Sequence, residues 1–188
     1  MELTWQNQLP ENAYEDFFSR LRKKEGRRLL DLSAGYDLVT FFAGKGFSLC
    51  SIDARKEILE GAKAHRRVMV EQPAGSFEGI LCLGTFDYLV REAAPSLVSE
   101  IDRILVPTGL AFVSFAPVWA SQGRQSRPLR TFLDRRATAD RWDHGKYGSF
   151  LVYQNREIEH LFRKFKIASL VTQTNGARRL IAMKKGLE

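Results

Sequence analysis

Apolar residues recur along this chain in two interleaved patterns, short extended runs and helical stripes. Arg28-Leu29-Leu30-Asp31-Leu32 is a short apolar run closed by Ser33-Ala34-Gly35, and it reads as a strand entering a tight turn. From Tyr36 to Lys45 the apolar residues Leu38, Val39, Phe41, Phe42 and Ala43 fall at helical spacing, so that one face of the helix is apolar. Gly44 and Gly46 end that helix, as glycine past the last periodic residue commonly does. Phe47 to Ile52 then runs extended into Asp53. Residues 28–53 therefore form a βαβ unit whose first turn lies at a ligand-facing edge.

The same alternation continues on both sides of that unit. Pro10-Glu11-Asn12 starts a helix with Tyr14, Phe17, Phe18 and Leu21 on one face, placed either to cap a sheet or to close as a lid over a ligand. Arg55 to Ala64 is a third amphipathic helix, with Ile58, Leu59 and Ala62 inward. Arg66 to Glu71 has the composition of a third strand, and Phe77 to Leu83 of a fourth, ending at Gly84-Thr85-Phe86-Asp87. The turn between Glu71 and Phe77 is far shorter than the roughly twelve residues of a parallel crossover, so the third strand is expected to be short or missing. Pro95 to Leu105 is a helix stopped by Pro107-Thr108-Gly109, and Leu110 to Phe115 a fifth strand. A helix from Asn155 to Phe165, a strand from Ile167 to Thr172, Asn175-Gly176 and a strand from Arg178 to Lys184 close the chain. Asn-Gly between extended runs is a strong hairpin signal. The fold class is α/β: a Rossmann-like, mostly parallel sheet with a C-terminal antiparallel hairpin and helices on both faces.

Composition narrows the picture only a little. A chain of 188 residues with 44% apolar and 27% charged residues is expected to be a single soluble domain, 1–188. No apolar run reaches membrane-spanning length, and the acidic, polar start is no secretory leader, so the expected setting is cytoplasmic. Cys50 and Cys82 sit in strand-like runs as reduced core residues, and His65, His144 and His160 are isolated, so no metal site is expected. The net charge of +7 favours an acidic partner or an anionic substrate.

In order and spacing these pieces resemble the class I S-adenosylmethionine-dependent methyltransferases of the small single-domain kind. Residues 29–59 look like the family's first motif, helix and second acidic position; 76–89 its fourth-strand segment; 100–115 its helix, proline-glycine turn and fifth strand; 154–184 its last helix and terminal hairpin. The resemblance implies S-adenosylmethionine as cofactor and S-adenosylhomocysteine as product. It also implies that Asp31 and Ser33-Ala34-Gly35 face the methionine part, Asp53 the ribose hydroxyls and Glu71 the adenine side, with Leu83 and Gly84 beneath the cofactor. Of the family's three alternating glycines only Gly35 is present, with Ser33 and Asp37 in place of the others; Asp37 also suits a helix N-cap.

Charge at the turn separates ligand classes. A phosphate wants bare amides at a helix N-terminus. Asp31 and Asp37 would repel a pyrophosphate and attract an ammonium or a sulfonium, which disfavours NAD, FAD and ATP. A general base is required only if the acceptor must lose a proton, and the candidates are Asp87, Tyr88, His144 and Tyr147. Leu83-Gly84-Thr85-Phe86 lacks the planar amide clamp of enzymes that methylate exocyclic base amines.

Residues 117–149 break the rhythm. Arg124, Arg127, Arg130, Arg135, Arg136, Arg141 and Lys146 outnumber Asp134, Asp140 and Asp143, with Trp119, Trp142 and Tyr147 between them. Following the fifth strand, this insertion lies at the carboxyl edge of the sheet, where open α/β folds bind ligands. It reads as a lid over a small-molecule acceptor, as a surface for RNA or an acidic protein, or as a solvated helix. Three functions stay open: a methyltransferase acting on a small acceptor, anionic or neutral; a non-catalytic methyltransferase-like protein that has lost cofactor binding; and an RNA methyltransferase using the basic insertion.

Overall fold

In the computed structural model, described for residues 9–21, 28–33, 46–52, 55–60, 62, 68–116, 151–173 and 176–186, six strands form one mixed sheet. They are β1 (Arg28–Asp31), β2 (Ser48–Ser51), β3 (Phe77–Cys82), β4 (Leu105–Phe115), β5 (Phe165–Thr172) and β6 (Arg178–Lys184), in the order β2-β1-β3-β4-β6-β5. The first four run parallel, and β6 pairs antiparallel with both β4 and β5. The described helices are α1 (Leu9–Leu21), the single turn α2 (Thr85–Tyr88), α3 (Ala94–Ile104) and α4 (Asn155–Leu161). The mostly parallel sheet and the terminal hairpin are as the sequence led one to expect.

Strand periodicity explains why the sheet carries helices on both faces. Successive side chains point to opposite sides, and here both sides are apolar. Leu30, Ile80, Cys82, Ala111, Val113, Leu180 and Ala182 enter one core together with Leu97, Ile101 and Ile104 of α3 and Ile158 of α4. Leu29, Leu81, Leu110, Phe112 and Ile181 enter the other, against Phe17, Phe18 and Leu21 of α1. Of the two roles open to α1, capping the sheet is the one seen: the Phe17 ring lies 5.4 Å from Phe112 and Phe18 lies 5.2 Å from Phe47. Gly79 permits this approach, since a Cβ there would stand 2.5 Å from Leu29 Cδ2 and 3.2 Å from Leu21.

Several boundaries differ from expectation for physical reasons. Val68 to Val70 is not a strand. Its amides go to α3 instead: Val68 N–H donates to Ser96 Oγ and Val70 N–H to Glu100 Oε2, each at 3.0 Å, while Arg103 donates to the carbonyls of Val70 and Gln72 at 2.8 Å. No third strand forms among the described residues of that stretch, 68–71, where side chains of a helix satisfy the backbone; Arg66 and Arg67 lie outside the described residues.

Pro107-Thr108-Gly109 does not separate a helix from a strand but forms a bulge inside β4, between the Phe77–Leu105 and Gly79–Leu110 pairs, with Thr108 at φ 63°. Residues Arg55–Glu60 make a π-type turn rather than the start of an α-helix. Helix α4 ends at Leu161, four residues earlier than its apolar periodicity suggests, and β5 begins at Phe165. Phe162 and Phe165 are nonetheless both buried, their rings 5.7 Å apart.

Candidate functional site

The carboxyl ends of β1, β3 and β4 are joined by hydroxyl groups. Asp31, 1% exposed, ends β1, and its Oδ1 accepts the Ser33 N–H at 2.9 Å, an Asx-type turn that bends the chain away from the strand. Ser51 Oγ stands 3.5 Å from Asp31 Oδ2. Ser33 Oγ accepts the Leu83 N–H at 3.0 Å, and the Thr85 hydroxyl donates to the Leu32 carbonyl. Gly84 N–H donates to Ser114 Oγ at 3.0 Å. Gly84 has φ 73°, a left-handed conformation that glycine adopts without a Cβ penalty, and it turns β3 into α2. Parallel strands leave unpaired backbone groups where they end, and Ser33, Thr85 and Ser114 satisfy them.

A second cluster sits beside the first. Asp87 of α2, 4% exposed, accepts the Ala116 N–H on Oδ1 at 2.9 Å, and its backbone carbonyl accepts the Leu151 N–H at 2.7 Å. The Arg178 guanidinium, on a residue 2% exposed, donates to the Ala116 carbonyl. Burial pushes the Asp87 carboxyl up to about 8, against the opposing pull of the Ala116 N–H and the Arg178 charge. Burial likewise lowers Arg178, while Asp87 and Glu157 counter it. The Cys82 thiol is driven well above its ordinary value by burial, so it is an inert core group.

The structure brings together Asp31, Ser33, Leu83 and Gly84 of the expected cofactor residues, through the bonds just given. Glu71 is exposed, and its carboxylate makes no hydrogen bond among the described residues. Tyr88 is 8% exposed and belongs to the core beneath α3. Ala34, Gly35, Asp53, His144 and Tyr147 lie outside the described residues, as do Asp37 and the insertion 117–149.

Sequence reasoning missed Thr85, Ser114 and Arg178. The two hydroxyls act on backbone across a strand boundary, which periodicity cannot reveal. In the sequence Arg178 only begins a strand, and it is the place of β6 inside the sheet that brings it to Ala116. The one available signal was Ser33 in the place of a glycine, a small hydroxyl where the chain turns.

The donor set at the turn fits a cationic ligand group better than an anionic one. The buried Asp31 carboxylate, beside the Ser51 hydroxyl, offers oxygen acceptors, which suit an ammonium. No group of three or more acidic, histidine or cysteine residues among the described residues could hold a metal ion. None of the described helices is long and apolar enough to cross a membrane.

This architecture has many solved counterparts. A methyltransferase dependent on S-adenosylmethionine from Methanosarcina mazei superposes with a TM-score of 0.55 at 16% identity, covering 87% of this chain and 95% of that one. Another from Aquifex aeolicus gives 0.53 at 15% identity over 90% of this chain and 88% of that one. The methyltransferase partner in a Haloferax volcanii complex with the Trm112 methyltransferase activator gives 0.57 at 12% identity over 93% and 91%. No protein-family model and no curated protein matches the chain. The protein has the class I S-adenosylmethionine-dependent methyltransferase fold, with no third strand among the described residues.

Proposed function

We propose that the protein is an S-adenosylmethionine-dependent methyltransferase acting on a small acceptor, with an anionic acceptor favoured by the net charge of +7. The observation that carries this is the buried Asp31 carboxylate tied to the Ser33 turn, at the carboxyl end of β1 in a methyltransferase fold. Asp31 and the Ser33–Gly35 turn hold the methionine end, Asp53 the ribose hydroxyls, and Leu83 and Gly84 lie beneath the cofactor. Bound there, the cofactor supplies an activated methyl group on a sulfonium. The chain's own part is to orient that group and keep water from it.

Asp87 is a positioning residue in this reading, not the base. Its carboxyl already accepts the Ala116 N–H, and a value of about 8 leaves it mostly protonated at neutral pH, where a base must be ionised. What it positions are Ala116 and Leu151, the residues that flank the insertion on either side. The insertion then shapes the acceptor side, and the proposal includes a protein partner bound there.

One observation favours a second reading, a non-catalytic methyltransferase-like protein. Ser33 stands where a glycine lets a ligand approach, and its hydroxyl is engaged with Leu83, beneath the expected cofactor. Calorimetry with S-adenosylmethionine and S-adenosylhomocysteine separates the two. Heat of binding that is lost in Asp53→Ala supports the enzyme, and no heat with either ligand at millimolar concentration supports the second reading.

A further inference from the structure

The net charge of the chain is concentrated on its terminal hairpin. From Arg163 to Gly186 the sequence holds seven basic residues and no acidic one, as many as the net +7 of the whole chain. Four of the seven are engaged or covered. Arg178 bonds the Ala116 carbonyl, and Arg179 is buried. Lys184 Nζ donates to the carbonyls of Asp102 and Leu105 at 2.5 and 2.9 Å, and Arg163 lies 3.1 Å from a ring nitrogen of His160. Lys164, Lys166 and Lys185 remain. All three are exposed, and none makes a hydrogen bond or ion pair among the described residues.

Strand pairing puts these lysines beside an uncovered part of the sheet. Lys166 stands opposite Met183, and Val171 opposite Arg179. Residues opposite each other share a face, as do residues two apart on one strand. Lys166 and Val171 therefore lie on the face of Ile181, which is the α1 face. Lys185 follows Met183 by two residues, at the same end of the hairpin. Strand β5 gives no buried residue to the α1-side core; Ala168 and Met183 are only partly buried against it. Val171 is 53% exposed, one of two large apolar side chains left so open among the described residues. The patch is separate from the Asp31 turn. Met183 is level with Leu110 and Arg178 with Phe115, so the lysine end lies at the edge of the sheet away from the carboxyl ends of β1 and β3.

Charge and apolar surface together select an occupant. A second copy would bring the same lysines and, from β5 and β6, no carboxylate to pair with them, so like charges would be desolvated. Nucleic-acid phosphates would pair with the lysines and gain nothing from Val171 and Met183. The two strands also expose no aromatic ring on which a base could stack. An acidic protein surface uses both features, since an apolar centre with a charged rim is the anatomy of a protein interface. A helix laid beside α1 would extend the layer that already covers this face.

We infer that the α1 face of the β5–β6 hairpin docks an acidic amphipathic helix of a partner protein. Its apolar stripe rests on Ala168, Val171 and Met183, and its carboxylates meet Lys164, Lys166 and Lys185. The inference does not rest on the methyltransferase reading.

The test uses the full chain, amide NMR and three probes. One is a helical peptide of about twenty residues with a leucine stripe flanked by glutamates. The others are the same peptide with lysine for each glutamate, and polyuridylate. The glutamate peptide is expected to bind, more weakly as salt rises, and to shift the amides of Lys166, Ser169, Val171 and Lys185. The lysine peptide is expected not to bind. Lys166→Glu combined with Lys185→Glu is expected to weaken the glutamate peptide about tenfold or more, and Val171→Ser about threefold. All three side chains are exposed, so these variants keep the core. The inference is overturned by no binding of the glutamate peptide, by shifts confined to other residues, by equal binding of the lysine peptide, or by unchanged affinity in either variant. Tighter binding of polyuridylate at those amides, or their shift on concentrating the protein alone, overturns it equally.

Discussion

Asp87 Oδ1 accepts the backbone N–H of Ala116 at 2.9 Å from a side chain that is almost wholly buried. Through its own carbonyl the same residue accepts the Leu151 N–H. One residue of a single helical turn therefore holds the end of β4 and the start of the segment leading into α4. Arg178 closes the arrangement from β6 by bonding the Ala116 carbonyl.

This relationship sets a pH dependence. The Asp87 carboxyl stands near 8 in the folded protein against an ordinary 3.8. The folded state thus holds a proton that the unfolded state releases. The stabilising contribution is complete below about pH 4 and is lost as pH rises through about 8, with a slope of at most about 1.4 kcal/mol per pH unit. Denaturant unfolding at pH 5, 6.5 and 8.5 is expected to show stability falling with pH. Asp87→Asn, which keeps an acceptor for Ala116 and cannot ionise, is expected to remove that component of the slope.

Ser33 carries a separate prediction. Its hydroxyl accepts the Leu83 N–H inside the sheet end. Ser33→Ala strands that amide and is expected to cost about 1–3 kcal/mol, read from the shift of a urea midpoint at constant m. A variant as stable as the parent contradicts the bond.

For α1, the packing decides between cap and lid. Phe17 is fully buried against Phe112. Phe17→Ala is expected to destabilise the protein by about 3–5 kcal/mol. A lid that opens to admit a ligand would leave global stability nearly unchanged, so thermal unfolding distinguishes the roles.

Over residues 68–71, where a third strand is expected and none is seen, α3 satisfies the backbone. Glu100 accepts the Val70 N–H and also pairs with Arg103, which holds the Val70 and Gln72 carbonyls. Glu100→Ala is expected to speed amide exchange at Val70 while leaving the Phe77–Cys82 amides protected. Equal loss of protection in both segments would show that the stretch unfolds only with the whole sheet.

Much of the fold could be read from the chain because the strands obey a strict two-residue alternation, and Leu29 and Leu30 already point to two different cores. Boundaries failed where a local signal has two structural meanings. Pro107 and Gly109 mark a turn or a bulge equally well, and only the pairing of Leu105 with Phe77 decides. The periodicity of α4 runs on through Phe162 because the aromatic cluster with Phe86 and Phe115 demands a buried ring there, whether the backbone is helical or not. Asp31, Ser33, Leu83 and Gly84 follow from the resemblance to the methyltransferase family, and they meet at the carboxyl end of the sheet. Thr85, Ser114 and Arg178 could not be picked out, since each acts on a backbone group far away in sequence.

The central claim is that the turn after β1 holds S-adenosylmethionine through the Asp31 carboxylate. Calorimetric titration of the full chain with S-adenosylhomocysteine, beside Asp31→Asn, tests it most directly. That substitution keeps an oxygen for the Ser33 amide, removes the charge and puts an amide nitrogen in place of the other oxygen. The account predicts binding by the parent chain and an affinity at least about tenfold weaker in Asp31→Asn. No heat from either S-adenosylhomocysteine or S-adenosylmethionine at millimolar concentration, or equal affinity in the two proteins, would contradict it.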